Sequence, residues 1–374
     1  MRNSTDLEAS TSGGASLLQY SGGMYNGTMH GVGQLSYSNG ERYEGNFVHG
    51  KREGSGTYYY KDGGTFSGSW VNDVIQGKGI ANYPNGNRYE GMFEQGVLHG
   101  QGTLYFADGD VYSGDFQFGK FHGIGTYTYT NGDSYNGEWK QDKRHGKGTI
   151  NYVDEDGHTV EKYTGGFVEG VFHGFGKYFY ADGAVYEGEW RNGSMNGKGT
   201  FTFPNGNTYV GDWVEDQKQG MGTLTYVNGE KYVGEWRDDL AHGKGELYFS
   251  GGDKYIGDFV KAKKEGHGEL CYVNGDLYTG EWKNDCANGF GVLKYHNGNI
   301  YEGEWVDDKR EGFGVLTSGN EKYEGEWKGG RRHGKGKLFL EGGHVLIGNW
   351  VDSKLRECLA FEFCPNSIWQ NVDS

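Results

Sequence analysis

The sequence is poor in the residues that define several structural classes. It has 4 cysteines and 3 prolines among 374 residues. Cys271, Cys286, Cys358 and Cys364 fall at spacings that make no disulfide framework. With so little proline, the 72 glycines cannot belong to a collagen-like chain. No apolar run approaches the roughly 18 residues of a membrane-spanning helix. The opening Met1-Arg2-Asn3-Ser4-Thr5 leads into a polar stretch without a signal-peptide core, and there is no myristoylation or prenylation motif. Asn3, Asn26 and Asn192 lie in glycosylation sequons, which matter only on secretion. These absences lead to the expectation of a soluble intracellular protein. Basic residues are also scarce, 36 against 51 acidic, and the net charge of −15 opposes nonspecific attraction to nucleic acid or an anionic bilayer.

Glycine and aromatics are what the chain has in quantity, and both are patterned. Aromatics reach 16%, too many for a disordered chain. Tyr186-Glu187-Gly188-Glu189-Trp190 heads a unit that continues through Gly197-Lys198-Gly199-Thr200-Phe201-Thr202-Phe203 to the turn Pro204-Asn205-Gly206-Asn207-Thr208. Fifteen such heads begin at residues 20, 43, 66, 89, 112, 135, 163, 186, 209, 232, 255, 278, 301, 323 and 346. The spacing is 23 residues except for one interval of 28, from Tyr135, and one of 22, from Tyr301. Counting positions from the first residue of each head, position 3 is Gly in all fifteen units. Positions 12 and 14 are Gly in all fourteen complete ones, so the three positions hold 43 of the 72 glycines. Position 5 is Trp nine times, Phe five times and Met24 once.

A fixed period of this length decides the architecture before any local reading. Helix is unfavourable, since each interior glycine costs about 1 kcal/mol against Ala. Alternation puts Tyr232, Gly234 and Trp236 on one face of a strand, with Val233 and Glu235 on the other. In the following strand Gly222, Leu224 and Tyr226 alternate with Met221, Thr223 and Thr225. Asn39-Gly40, Asn85-Gly86, Asp108-Gly109 and Asn228-Gly229 signal turns at unit ends. Glycine at position 3 is expected to leave bare backbone for a ring from the adjacent strand. The fold class that follows is all-β, an elongated repeat rod made of a single twisted antiparallel sheet of successive 23-residue β-hairpins. At ~4.8 Å per strand the rise is about 10 Å per unit and the rod on the order of 140 Å. Three segments are expected. Residues 1–19 form a disordered arm, 20–345 hold fourteen repeats, and 346–374 carry a degenerate fifteenth repeat and cap. In that last unit Leu346 replaces Tyr, Glu357 and Leu359 replace two glycines, and Phe361, Phe363, Ile368 and Trp369 follow. The extra residues around Val153-Asp154-Glu155-Asp156-Gly157-His158 are expected to lengthen a loop into an acidic flap. The residue missing near Thr317-Ser318-Gly319 should tighten a turn.

The recurrence of Tyr-Glu-Gly-Glu-Trp and then His-Gly-Lys-Gly, at His145 to Gly148, His242 to Gly245 and His333 to Gly336, resembles the MORN-repeat family. The resemblance covers residues 20–345 clearly and 346–363 weakly. In that family the repeats occur on phosphoinositide kinases, in junctional membrane proteins and in ciliary radial-spoke heads, and make up almost the whole of some protozoan cytoskeletal scaffolds. A chain of about fifteen repeats looks most like the last group. The resemblance implies extended rods that dimerise through C-terminal repeats and organise membrane-associated cytoskeleton.

Candidate sites follow from the repeats. Seven histidines share position 11, but equivalent positions about 10 Å apart cannot gather on one ion, so no metal and no cofactor are expected. Cys358 and Cys364 are read as free thiols; the resemblance offers zinc at a dimer interface as the other reading. Carboxylate pairs such as Glu187/Glu189 and Glu302/Glu304 repeat on an open face, which suits solvation better than catalysis. Tyr301, Trp305, Tyr323, Trp327 and Trp350, adjoining Leu355, Phe361 and Phe363, are the expected self-association patch. Lys309, Arg310, Arg331 and Arg332 are the candidate lipid head-group contacts. The function expected is a non-enzymatic scaffold, a homodimer presenting a repeated surface to cytoskeletal or axonemal proteins, with no nucleic acid partner. It would work in the cytoplasm, at the cytoskeleton of a cilium, flagellum or cell cortex. The alternatives are a module that tethers membranes through phospholipid and a regulatory partner of a phosphoinositide kinase.

Overall fold

The computed structural model describes residues 17–365. Among them are thirty β-strands and no helix, from β1 (Leu17–Tyr25) to β30 (Lys354–Glu362). The chain divides into two units, Met1–Ser194 and Met195–Ser374. Within each, successive strands pair antiparallel with their neighbours in sequence. Each unit is therefore a run of 23-residue hairpins, as the period requires. The arm expected at 1–19 lies outside the described residues up to residue 16, and β1 already begins at Leu17.

One repeat of the second unit, β17 (Thr208–Val214), β18 (Gln217–Thr225) and then β19 (Lys231–Arg237), serves for all. The turn inside the hairpin has two residues, Glu215 and Asp216, both left-handed with φ of 48° and 66°. Such a turn matches the right-handed twist of the flanking strands. The Asn-Gly signal marks the other, longer turn, for a different reason. Only Gly229 is left-handed there, with φ of 90°. The Tyr226 N–H donates to the Glu230 carbonyl at 2.8 Å, and Asn228 Oδ1 accepts the Glu230 N–H at 3.0 Å. Asn is there because its side chain folds back on the backbone.

The second strand does not alternate evenly. Gly211 faces Gly222, but Asp212 faces Gln219, so Gly220 and Met221 have no opposite number on β17. This is a β-bulge, and Gly220 makes it at φ of 59°, where a side chain would be strained. The bulge removes the Met221 N–H from the ladder, and the Asp212 carboxylate accepts it at 3.0 Å. The same bond recurs from Lys147 to Glu138 at 2.8 Å, Lys244 to Glu235 at 2.9 Å and His267 to Asp258 at 3.0 Å. Where position 4 is acidic, as in these repeats, its carboxylate caps the bulge that the glycine at position 12 makes.

The core is a file of interlocked rings on the inner face. A Cβ on Gly222 would sit 2.5 Å from ring carbons Cε2 and Cζ of Tyr209, and one on Gly211 would sit 2.5 Å from its Oη. The ring over position 3 thus comes from its own strand, not from the adjacent one as expected, and one tyrosine covers both glycines. The Tyr209 hydroxyl donates to the Asp212 carbonyl at 3.1 Å. Trp236 of the next hairpin donates Nε1–H to the Gly222 carbonyl at 3.1 Å. Its ring meets Tyr209 and Tyr232 edge-on, each at 5.2 Å, the arrangement aromatic quadrupoles favour.

The two irregular intervals are absorbed differently. The insertion lengthens β12 (Lys143–Val153) and β13 (Thr159–Val168), while the Gly157 N–H still donates to the Asp154 carbonyl at 3.0 Å as at other unit ends. It extends strands instead of making a flap, because Tyr152 and Glu161 can still pair. The deletion leaves Gly319 and Asn320 as a two-residue turn beyond the Ser318–Glu321 pair, the expected tightening.

Candidate interaction surfaces

The inner face offers little free surface. Tyr301 is fully buried and Trp305, Tyr323, Trp327 and Trp350 nearly so. Each tryptophan fills the space between its own tyrosine and the preceding one, as Trp327 does against Tyr301 at 5.1 Å and Tyr323 at 5.5 Å. Five of the eight residues expected in the self-association patch are therefore spent inside the chain. Leu355, Phe361 and Phe363 are exposed, together with Leu359. They lie along or just past β30, which among the described residues has no following head strand to cover it.

The four candidate head-group residues separate by strand alternation. Arg310 lies over the Trp327 ring at 4.4 Å and donates to the Gly330 carbonyl at 2.8 Å. Arg332 lies over Trp350 at 4.6 Å. These are cation–π contacts on the inner face. Lys309 and Arg331 point to solvent, and Arg331 approaches Asp352 at 3.8 Å. Lys264 takes the same inner place, 4.3 Å from Trp282, and burial pushes its pKa down. At Lys264, Arg310 and Arg332 the basic residue was legible in the sequence but its burial was not.

Position 11 meets position 7 of the next repeat. Glu265 Oε1 accepts the Asn284 N–H at 3.0 Å and Gln76 Oε1 the Gln95 N–H at 3.1 Å, while His99 packs against Phe118 at 5.8 Å. The Nδ1 atoms of His30, His145 and His333 are buried without a hydrogen-bond partner. Among the described residues no three His, Cys, Asp or Glu side chains converge as metal ligands would. The four cysteines are unpaired, and His344 Nδ1 accepts the Cys364 N–H at 3.2 Å.

Both edges carry clamps that sequence reasoning missed. At the two-residue turns, Asp216 accepts the Met195 N–H at 2.7 Å, Asp285 the Lys264 N–H at 2.9 Å and Asp308 the Ala287 N–H at 2.7 Å. At the other edge Asp253 accepts the Val273 N–H at 2.8 Å and Asp276 the His296 N–H at 2.8 Å. Aspartate recurring at position 8, in Asp73, Asp142 and Asp239 as well, was the available signal.

The outer face of the second unit is hollowed. Positions 2 and 15 form one wall, position 13 the other, and the peptides of the Gly234–Gly245 and Gly257–Gly268 pairs form the floor. The hollow encloses about 560 Å³ and is lined by Met221, Val233, Ile256, His267 and the stems of Lys244 and Glu269. Met221 is 53% exposed and Val210, just beyond, 52%. Farther along the same walls Phe290 and Phe313 are half-exposed.

Comparison with known proteins agrees with the repeat geometry. The MORN-repeat profile matches fourteen consecutive segments, from 20–42 through 323–345, including 135–157 and 163–185 on either side of the insertion. The chain belongs to the MORN-repeat family. No curated protein matches it as a whole sequence. Among solved structures it is similar to the TCP10 domain of Danio rerio CPAP, with 11% identity, 58% of this chain and 95% of that chain covered, and a TM-score of 0.32. The same domain with a peptide of Danio rerio STIL gives 12% identity, 83% and 100% coverage and a TM-score of 0.26. The TCP10c domain of Drosophila melanogaster Sas-4 gives 13%, 50%, 98% and 0.24. Scores of this size transfer neither partner nor role to these MORN repeats.

Proposed function

We propose that the chain is a non-enzymatic scaffold that organises cytoskeletal or ciliary assemblies by multivalent protein binding, as a homodimer joined near its C-terminal edge. The observation that carries the dimer is β30, where Leu355, Leu359, Phe361 and Phe363 are 37 to 48% exposed and, among the described residues, no further strand pairs. In every earlier repeat the corresponding strand is covered by a neighbouring head and its large ring. An uncovered apolar strand edge is a template for pairing with another chain. Of the carboxylates that would attract a catalytic reading, Glu304 caps a bulge, accepting the Phe313 N–H at 3.3 Å, and Glu187 pairs with Lys177.

Light scattering with small-angle X-ray scattering tests this on three proteins: the full chain, its Leu355→Lys/Phe361→Lys variant, and a chain ending at Val345. A dimer that becomes monomeric in both altered forms is expected. A full chain that is monomeric at all concentrations overturns the dimer. Phospholipid tethering is the competing reading, and only Lys309 and Arg331 of its four residues face solvent. Flotation with anionic vesicles that is abolished by Lys309→Glu/Arg331→Glu would favour it.

A further inference from the structure

Asparagine followed by glycine is the pair most given to rearrange on its own, because no side chain on the glycine keeps its nitrogen from the asparagine amide. The chain has twelve such pairs. At seven unit-end turns, from Asn39-Gly40 to Asn297-Gly298, the glycine N–H donates to a backbone carbonyl at 2.9 to 3.1 Å. In each of these turns the asparagine Oδ1 also accepts the N–H two residues on. Asn136-Gly137, Asn196-Gly197 and Asn288-Gly289 lie within paired strands. In these ten pairs the backbone around the glycine nitrogen is held in place.

The remaining two pairs, Asn26-Gly27 and Asn192-Gly193, occupy the same two-residue turn in different repeats. Their backbones match: φ is 49° and 51° at the asparagines, 77° and 88° at the glycines. Their surroundings do not. In all fourteen turns of this kind after the first, the second residue donates its N–H to the position 10 carbonyl of the preceding repeat at 2.8 to 3.2 Å. Gly193 does so to Phe172 at 3.0 Å. Gly27 belongs to the first repeat and has no preceding one, and among the described residues no carbonyl accepts its N–H. Asn26 and Gly27 are both exposed. Their turn is closed by its own strands alone, through the Tyr25–Thr28 pair and the Thr28 hydroxyl, which donates to the Tyr25 carbonyl at 2.9 Å.

We infer that Asn26 is a site of spontaneous self-modification, converting to aspartate and isoaspartate, while the fold protects the other eleven Asn-Gly pairs. The Gly27 nitrogen attacks Cγ of Asn26. An N–Cγ bond forms, the Cγ–Nδ2 bond breaks, and the nitrogen's proton leaves with Nδ2 as ammonia. Water then opens the resulting five-membered imide at either carbonyl, giving aspartate or isoaspartate; no other reactant takes part. At Asn192 the attacking nitrogen is the one bonded to Phe172, so the turn must first open locally. The two products differ in consequence. Aspartate suits the turn, since Asp238 and Asp307 hold the same place at φ of 50° and 46°. Isoaspartate adds a methylene to the backbone of a two-residue turn, so Tyr25 and Thr28 lose their register. That loosens β1, which among the described residues pairs with β2 (Thr28–Tyr37) alone.

The test is peptide mapping by mass spectrometry on the full chain incubated at mildly alkaline pH, once native and once in urea. The denatured chain supplies the intrinsic rate of each Asn-Gly pair, and the ratio of the two rates reads the protection. Asn192 and Asn228 should react about tenfold or more slowly in the native chain, and Asn26 within about threefold of its denatured rate. His49→Asn sets a new asparagine before Gly50, whose N–H donates to the Met29 carbonyl at 2.9 Å. That pair should be protected as Asn192 is, although it lies only one repeat from Asn26. Protection of Asn26 equal to that of Asn192 overturns the inference. Reaction of Asn192, or of the new pair in His49→Asn, at the rate of Asn26 overturns it as well. Amide hydrogen exchange across residues 17–25 should quicken in the isoaspartate fraction, and unchanged exchange there overturns the loosening of β1. The inference goes beyond the scaffold reading, and neither outcome bears on the dimer.

Discussion

The ring over the glycine pair makes a sharp prediction about which glycines matter. Gly222→Ala places a methyl 2.5 Å from Tyr209 Cε2 and Cζ. The ring cannot yield easily, because Tyr209 has 0% exposure, its hydroxyl is bonded to the Asp212 carbonyl at 3.1 Å, and Trp236 stands 5.2 Å away. Overpacking of this kind costs about 1–3 kcal/mol, and the rigid surroundings place Gly222→Ala near the upper end. Gly229 is left-handed at φ of 90° with nothing within 4 Å, so Gly229→Ala bears only the backbone cost of about 1–2 kcal/mol. Gly251 has neither constraint, and Gly251→Ala should be neutral or stabilising by up to about 1 kcal/mol.

A double-mutant cycle separates the ring from other causes. Tyr209→Ala alone should cost about 3–5 kcal/mol. Adding Gly222→Ala to it should then cost under about 0.5 kcal/mol, a coupling of about 2 kcal/mol or more. Long repeat arrays need not unfold in two states, so the readout is amide hydrogen exchange across residues 208–237 in the full chain, alongside guanidinium unfolding. Additive costs in the double variant, or equal exchange in Gly222→Ala and Gly251→Ala, would refute the argument that the tyrosine ring dictates positions 3 and 14.

Two further expectations are simpler. Glu235→Ala should cost about 1 kcal/mol by leaving the Lys244 N–H to water, while Glu235→Gln keeps an acceptor and recovers most of it; equal loss in both, read by exchange of the Lys244 amide, would assign the effect to charge. Burial, offset in part by nearby arginines, pushes the Tyr43, Tyr60 and Tyr323 hydroxyls up to about 12. A raised acid favours the folded state below the unfolded pKa near 10 and loses that contribution as pH rises through 12, so stability should fall between pH 10 and 12. Tyrosinate absorbance rising fully by pH 10.5 without unfolding would contradict it.

The period, the hairpins and the turn at each unit end could be read from Tyr, Gly and Asn-Gly alone, because those signals are local and repeat. The bulge could not. Alternation places Gly220 and Gly222 on one face and gives no hint that one is left-handed and the other is roofed by a ring. The tie between Asp212 and the Met221 N–H would have revealed it, but an acidic residue on an exposed face reads first as solvated. The basic pairs mislead in the same way. Lys309 and Arg310 are adjacent in sequence, yet alternation sends one to water and the other onto Trp327, and a guanidinium on an aromatic face looks like a surface charge until its neighbour is known.

The repeats also act as their own control on where binding specificity can lie. Each residue that the hairpin needs recurs because the same contact recurs: the tyrosine over its glycines, the glycine of the bulge, the carboxylate that caps it, the aspartate that clamps the next turn. The side chains at positions 2, 13 and 15 enter none of these contacts, and they differ from copy to copy. Position 13 alone runs through Met221, Lys244, His267, Phe290 and Phe313 in five successive repeats. A side chain that can be methionine, lysine, histidine or phenylalanine in one structural place is not selected by the fold. Whatever distinguishes one stretch of the sheet from another to a partner must therefore be written on the outer walls, one residue per repeat, while the inner rings keep the repeats in step.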